Sequence, residues 1–533
     1  MSRTMASVLG LAVLVAGCKG KEDDAGAKRG DIPTIAPVFG VPNLDDDDDN
    51  GKSDWRDEGA SDDDDLAPLD LTALAEALLN DDLVTFSLTG NAPVRVWAGG
   101  AVLADETTEG TLGKSELADP VLVEFGDFAA GDTLTLTVLK KDGSEVDRQQ
   151  VRLQGAPAIL NHHLQPFERA FAVFDNGYND AMIADMDDVM GNTFISRDVF
   201  DYDFDVWVQD EFETATLTSP TSRIDVVIDS IRSDGYGLDA FPERVVAKGG
   251  NSVVQTWGKG FPNSQDSFGN LEVSPPVTVD GVEYPFGRIY YGEWAFGETI
   301  TNKLTRFMED QRVQDPFTLD VSFLCVGHVD EFTTFLPDPT APKGFRLYIA
   351  DIPEGLAFLE GLGPDYALPR YGRDHGYGSV GEILDDRALI AINEDYQRDY
   401  IDPTVDRFKA ELGLDDGDIV RVPALFEEIG ACGPYGLALI PATVNMLVST
   451  GEDGAVEAFL PDPFLRGDDE GPESDPFVAL VNDLLPASVT PHWVDNWYTY
   501  HLAWGEVHCG TNTVRTPTAN WWDDAMHLLE GGE

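Results

Sequence analysis

Hydrophobic and polar residues alternate through 82–155 in short runs: Val84-Thr-Phe-Ser-Leu88, Val94-Arg-Val-Trp97, Val121-Leu-Val-Glu-Phe125, Leu134-Thr-Leu-Thr-Val138 and Val151-Arg-Leu153. A period of two places successive side chains on opposite faces, so each run predicts a strand with one buried face, and Asp142-Gly143 supplies a turn. Strands this short and this closely spaced predict a small all-β sandwich over residues 66–155. From about Ala156 the pattern changes to β-rich runs interleaved with helical ones, such as Glu298 to Val313 and Pro403 to Leu414. That predicts an α/β domain over 156–533, with no sequence repeat of fixed length. Residues 19–65 lack any hydrophobic period and predict a tether with little structure of its own.

The first 18 residues carry Arg3, an apolar run from Ala6 to Ala16, and then Val15-Ala16-Gly17-Cys18. The run is too short to span a membrane and reads as an export signal with a lipobox, making Cys18 the lipidated first residue of an exported, membrane-anchored protein. A plain secretory signal is the alternative. Cys325, Cys432 and Cys509 remain, an odd number in a disulfide-permitting compartment, so at least one thiol is unpaired within the chain or paired externally. Cys325 is read as a packing cysteine rather than a partner of Cys432.

Acidic residues number 97 against 35 basic ones, a formal charge of −62, which excludes nucleic acid as a partner. Divalent cations, cationic substrates and a salt-adapted surface remain compatible with it. Within the tether, Asp46, Asp48, Asn50, Gly51, Asp54 and Asp57 match the oxygen-ligand spacing of an EF-hand-type Ca²⁺ loop, with Asp rather than Glu at the last place. The competing reading is a solvated acidic run.

Two further stretches carry chemistry. Taken as a strand, residues 323–332, "FLCVGHVDEF", put His328 and Asp330 on one side. Residues 205–213, "DVWVQDEFE", taken the same way, put Gln209, Glu211 and Glu213 on one face and Asp210 on the other. A cysteine, a histidine and two aspartates suggest thiol chemistry, yet carboxylates beside a thiol oppose thiolate formation unless a cation sits between them. A guanidinium, whose planar fork matches carboxylates, is the natural cation.

In the same order along the chain, "VWVQDEFE", "SFGNLEVSPPVTVDGVEYPFGRIYYG", "VGHVDEFTTFLPDPTAPKGFRLYIAD", "VNMLV" and "YTYHLAWGEVHCGTN" closely resemble segments of the calcium-dependent peptidylarginine deiminases. The resemblance covers nearly all of 156–533 and implies an α/β propeller of the guanidine-modifying superfamily, preceded by an immunoglobulin-like sandwich. It implies conversion of peptidyl-arginine to citrulline, with Cys509 as nucleophile, His328 as general acid and base, Asp210 and Asp330 gripping the guanidinium, and Trp207 lining the substrate's aliphatic arm. It further implies one Ca²⁺ set of Gln209, Glu213, Glu272 and the carbonyls of Phe268 and Leu271. A second set comprises Glu211, Asp229 and Ser230. Arg232 falls in a substrate-binding loop that is altered here, and Ala503 and Trp504 stand where the family has arginine and histidine. The resemblance leaves two rival readings: an enzyme of free arginine or another small guanidine, and a catalytically silent calcium-binding surface module.

Overall fold

The computed structural model describes residues 28–45, 52–56, 65–232, 237–247, 252–257, 263–294, 299–516 and 520–530. All five predicted N-terminal strands form, as Leu83–Leu88, Val94–Ala98, Val121–Phe125, Gly131–Leu139 and Glu145–Gly155. They belong to a five-stranded and a four-stranded sheet whose apolar faces share one core that includes Phe86, Val96, Phe125 and Leu136. The alternation explains the burial directly: Leu134, Leu136 and Val138 point inward from one strand, while Thr133 and Thr135 are only partly covered.

The expectation of an unstructured tether fails for residues 28–45. Val38–Gly40 forms a strand parallel to Leu153–Gly155, and Ile35 and Val38 join the sheet core. Polar composition concealed this, because only a few apolar residues are needed when a neighbouring strand supplies the hydrogen bonds. Trp55 fastens the next described piece, with its ring 3.7 Å from the Arg95 guanidinium.

In the remainder of the chain, five sheets repeat one pattern. The middle strands are Phe167–Phe174, Arg223–Asp229, Ile289–Glu293, Phe345–Asp351 and Val456–Pro461. Each pairs antiparallel with one neighbour and parallel with the other. Parallel pairing needs a crossover, and the helices Asn302–Gln311 and Asp402–Leu412 lie within two of these connections. Both match the predicted helical runs, and they turn Leu304, Phe307 and Met308, and Val405, Phe408 and Leu412, into the core.

Cys325 and Cys432 form a disulfide, correcting the packing assignment. The bridge Leu324↔Gly436 and the Cys325 N–H bond to the Gly436 carbonyl bring two distant segments together, leaving the Cα atoms 5.7 Å apart. Sequence spacing across 107 residues holds no trace of that contact. A Cys432→Ser protein is expected to lose about 2–5 kcal/mol of stability, read as a lower urea midpoint. Reductant should bring the wild type down to the same midpoint; equal midpoints for oxidised wild type and variant would contradict the crosslink.

Candidate active site

The five sheets place the site. In each, the strand antiparallel to the middle one starts just after a turn that carries a site residue. Asp210 precedes Phe212–Thr218, Gly269 precedes Leu271–Val273, and Asp330 precedes Thr333–Pro337. Asn445 precedes Leu447–Thr450, and Cys509 precedes Thr511–Arg515.

Two of these turns were expected to be strands. Residues Val208–Glu211 instead make a single helical turn, preceded by Asp205 accepting from the Trp207 N–H. The following strand is buried along its whole length, so an in-out alternation could not set its beginning. Val329–Glu331 is a 3₁₀ turn, fixed because Glu331 accepts from the N–H groups of Gly327 and His328. Both substitutions of turn for strand keep the key side chains together.

Gly269 marks their meeting point. A Cβ there would lie 2.8 Å from His328 Nδ1, 2.9 Å from Asp210 Oδ1 and 3.2 Å from Asp330 Oδ2, so the missing side chain leaves the space these three groups face. His328 Nε2–H donates to the Ser264 carbonyl at 2.9 Å, which turns Nδ1 toward Asp210 Oδ1 at 3.5 Å. The Cys509 thiol lies 3.4 Å from Asp330 Oδ2 and receives the Asn445 amide at 3.1 Å. Burial, and after it the charges of Asp330 and Asp210, push that thiol well above its ordinary value. Oδ1 of Asp210 and Oδ1 of Asp330 are buried and accept no hydrogen bond from the described residues. A planar cation with several N–H donors would satisfy both.

Trp207 stacks obliquely on Tyr500, and Gly505 permits its approach, since a Cβ at that position would meet the indole at 2.5 Å. Beside it, a narrow cleft reaches Cys509 past Asn445, Glu331 and the half-exposed Trp504. Arg232 bonds to Asp210 Oδ2 at 3.0 Å and pairs with Asp205 and Glu211. Its guanidinium therefore occupies one oxygen of the carboxylate assigned to substrate.

The expected calcium residues form two groups, not one strand face. Gln209, Glu213 and Glu272 converge near Phe268, whose carbonyl and Glu213 Oε1 both accept from the Gln209 amide. Burial and then Glu272 push Glu213 up to about 8, while burial pushes Glu272 up to about 7. Leu271 is the next residue in that strand. Glu211, Asp229 and Ser230 form the second group, with the Ser230 N–H donating to the Glu211 carbonyl. Burial there pushes Glu211 up to about 9 despite Arg232. Sets of buried oxygen donors with excess negative charge fit a hard divalent cation. From the acidic loop, Asp46, Asp48, Asn50 and Asp57 lie outside the described residues, as does Cys18. Asp54 is described and buried, its N–H donating to the carbonyl of buried Asp45. Burial, and next the nearby Asp65, raise Asp45 to about 8.

Sequence reasoning gave no role to Gly269, Asn445, Glu331 or His508. Asn445 Oδ1 accepts from the N–H groups of His508 and Cys509 while its amide meets the thiol, so it fixes the turn bearing Cys509 from both sides. His508 Nδ1 is 3.0 Å from Asp330 Oδ2; although burial opposes it, Glu272 and Asp330 raise this imidazole to about 9. The only sequence signal for these residues is adjacency: Glu331 follows Asp330, His508 precedes Cys509, and Asn445 lies within "VNMLV".

The protein-arginine deiminase (PAD) family model matches residues 145–523. The type-4 protein-arginine deiminase of Rattus norvegicus is 35% identical over 329 residues, covering 60% of this chain and 48% of its own. The Homo sapiens type-4 protein is 32% identical over 431 residues, 74% of this chain and 60% of its own, and the human type-1 protein 35% over 389 residues, 69% and 56%. The chain thus spans about half to three fifths of the length of these relatives. Among solved structures, a C. jejuni agmatine deiminase with substrate bound aligns at TM-score 0.35 and 9% identity, covering 68% of this chain and 97% of that one. Because this match spans well over half of the chain and takes in all five repeated sheets, the chain belongs to the protein-arginine deiminase family.

Proposed function

We propose that this protein hydrolyses arginine side chains in proteins or peptides to citrulline and ammonia, in a calcium-dependent reaction. The observation that carries the reading is the buried thiol between two carboxylates, each keeping an oxygen without a hydrogen bond among the described residues. Asp210 and Asp330 receive the guanidinium N–H groups, and the cation's charge makes the Cys509 thiolate easier to form. The thiolate attacks the guanidinium carbon, and ammonia leaves with a proton from His328 as the carbon–sulfur bond of a thiouronium is kept. Water, deprotonated by His328, then adds to that carbon and expels the thiolate, leaving citrulline. Trp207 covers the substrate's aliphatic arm, while Ala503 and Trp504 stand where the family has the arginine and histidine that help hold the substrate backbone.

Gln209, Glu213, Glu272 and the carbonyls of Phe268 and Leu271 would hold one Ca²⁺. Glu211, Asp229 and Ser230 would hold a second, and the acidic loop of Asp46, Asp48, Asn50, Asp54 and Asp57 a third. Bound calcium supplies positive charge that keeps these carboxylates ionised and fixes the turn bearing Asp210. Glu211 is also where Arg232 makes one of its ion pairs, so the cation set and Arg232's hold on Asp210 share a residue.

The five sheets, with the site at the start of one strand in each, support a propeller, and the two N-terminal sheets an immunoglobulin-like sandwich. The proposed organisation is an export signal over 1–18, an acidic calcium-binding segment over 19–65, the sandwich over 66–155 and the catalytic domain over 156–533. Lipidation at Cys18 would anchor the protein outside the cytoplasm, and the Cys325–Cys432 disulfide suits an oxidising compartment. No helix among the described residues is long and apolar enough to cross a membrane.

With excess Ca²⁺, an arginine-containing peptide should yield citrulline, with none from Cys509→Ala or in chelator, and Glu213→Gln should need more calcium. Turnover of free arginine alone would replace the substrate class, and turnover of neither would favour the silent binding module. Gly269→Ala should stay folded, with a melting temperature lowered by the overpacking, and lose roughly 10²-fold in turnover, because a methyl group displaces His328 and Asp210. Undiminished turnover would mean that this space is not where the guanidinium binds.

A further inference from the structure

His163, Glu272 and His508 bring their ligand atoms within 4.8 Å of one another. His163 Nε2 lies 3.9 Å from Glu272 Oε2, and His508 Nε2 lies 3.5 Å from Glu272 Oε1. Each imidazole is held from behind by its other nitrogen. His163 Nδ1 faces the Phe335 carbonyl at 3.2 Å and the Thr334 hydroxyl at 3.3 Å, while His508 Nδ1 faces Asp330 Oδ2 at 3.0 Å. With Nδ1 committed in both rings, Nε2 is the atom presented to Glu272, an arrangement in which outer partners orient histidines toward a metal. The nearest permanent cation, Arg515, is turned to the backbone carbonyls of His163, Gln165 and Val448.

An ion pair between His508 and Glu272 accounts for those two residues but gives no account of the direction in which His163 presents its Nε2. Its Nε2 is too far from Glu272 for a hydrogen bond, yet near enough to share an ion with it. Donors at about 2.0–2.1 Å from a tetrahedral ion are separated by roughly 3.4 Å, so small side-chain rotations close the set. Two imidazole nitrogens and one carboxylate suit Zn²⁺ and its neighbours, whereas Ca²⁺ takes oxygen.

We propose that Nε2 of His163, Nε2 of His508 and a carboxylate oxygen of Glu272 form a site for a divalent transition cation such as Zn²⁺, and that filling it withdraws Glu272 from the calcium set. The competition rests on the proposed calcium role of Glu272; the binding site does not. A small ligand such as water completes the coordination. Zinc would then oppose calcium beside the catalytic turn, because His508 adjoins Cys509 and touches Asp330.

Co²⁺ is the probe, titrated into the calcium-free full chain and followed by its visible d–d absorption. The wild type should bind one equivalent, without a sulfur-to-cobalt charge-transfer band, and release it to Zn²⁺. Cys509→Ser should give the same spectrum, and His163→Ala should bind roughly tenfold or more weakly. His163→Asn, a smaller change in polarity, provides a second variant, with circular dichroism verifying that each is folded. In turnover, Zn²⁺ should inhibit the wild type less as Ca²⁺ is raised, and His163→Ala should resist zinc while keeping its calcium-dependent rate. Equal Co²⁺ affinity in wild type and folded His163 variants, or a spectrum lost with Cys509, would overturn the site. Zinc inhibition insensitive to calcium would overturn the competition. A chain that turns over no arginine would remove the proposed function, while the cobalt spectra would still decide the site.

Discussion

Asp210 and Asp330 are buried on either side of a space next to a buried thiol, and the local structure depends on keeping those charges there. A buried carboxylate is costly unless cations and donors compensate it. Asp210 has Arg232 and His328, and Asp330 has His508 and the Cys509 thiol as neighbours. The compensation stops short of completion, for one oxygen of each takes no hydrogen bond from the described residues. That residual demand for positive charge is what makes a guanidinium a fitting occupant. It also explains how a thiol unsuited to ionise alone can act as a nucleophile once the cation is present.

The same electrostatic economy extends outward from the site. Glu213 and Glu272 lie behind the turn of Asp210, and Glu211 shares Arg232 with it, so the carboxylates that would take calcium are physically joined to those that would take substrate. Burial raises the pKa of both Glu213 and Glu272, and a divalent cation would favour their ionised forms. The strongly acidic composition therefore has a local meaning as well as a bulk one: in the acidic segment too, Asp45, Asp54 and Asp65 are buried.

Sequence periodicity exposed the N-terminal strands because each has one covered and one partly covered face, as in Gly131–Leu139. It failed at Val208–Glu211 and Val329–Glu331, where full burial removes the alternation, Asp205 holds the Trp207 N–H just ahead of the first turn, and Glu331 caps the second. The resemblance named Cys509, His328, Asp210 and Asp330; the fold brings the last three around Gly269 and sets the Cys509 thiol 3.4 Å from Asp330 Oδ2. Asn445 gave no signal beyond its place in "VNMLV", and His163 gave none, since their partners Cys509 and Glu272 lie far along the chain. The fivefold repetition of sheets was equally hidden: hydrophobic patterns record which face is buried, not whether neighbouring strands run parallel.

The most direct measurement is the ionisation of Cys509, followed through thiolate ultraviolet absorbance as the difference between wild type and Cys509→Ser across pH. Two samples are compared, one calcium-free and the other with calcium and a guanidinium compound that the enzyme does not turn over. The free protein should hold its thiol protonated well into alkaline pH, and the cation between Asp210 and Asp330 should shift ionisation downward. A thiolate already formed at neutral pH in the free protein, or a titration unmoved by the guanidinium, would contradict the claim that substrate charge switches on the nucleophile.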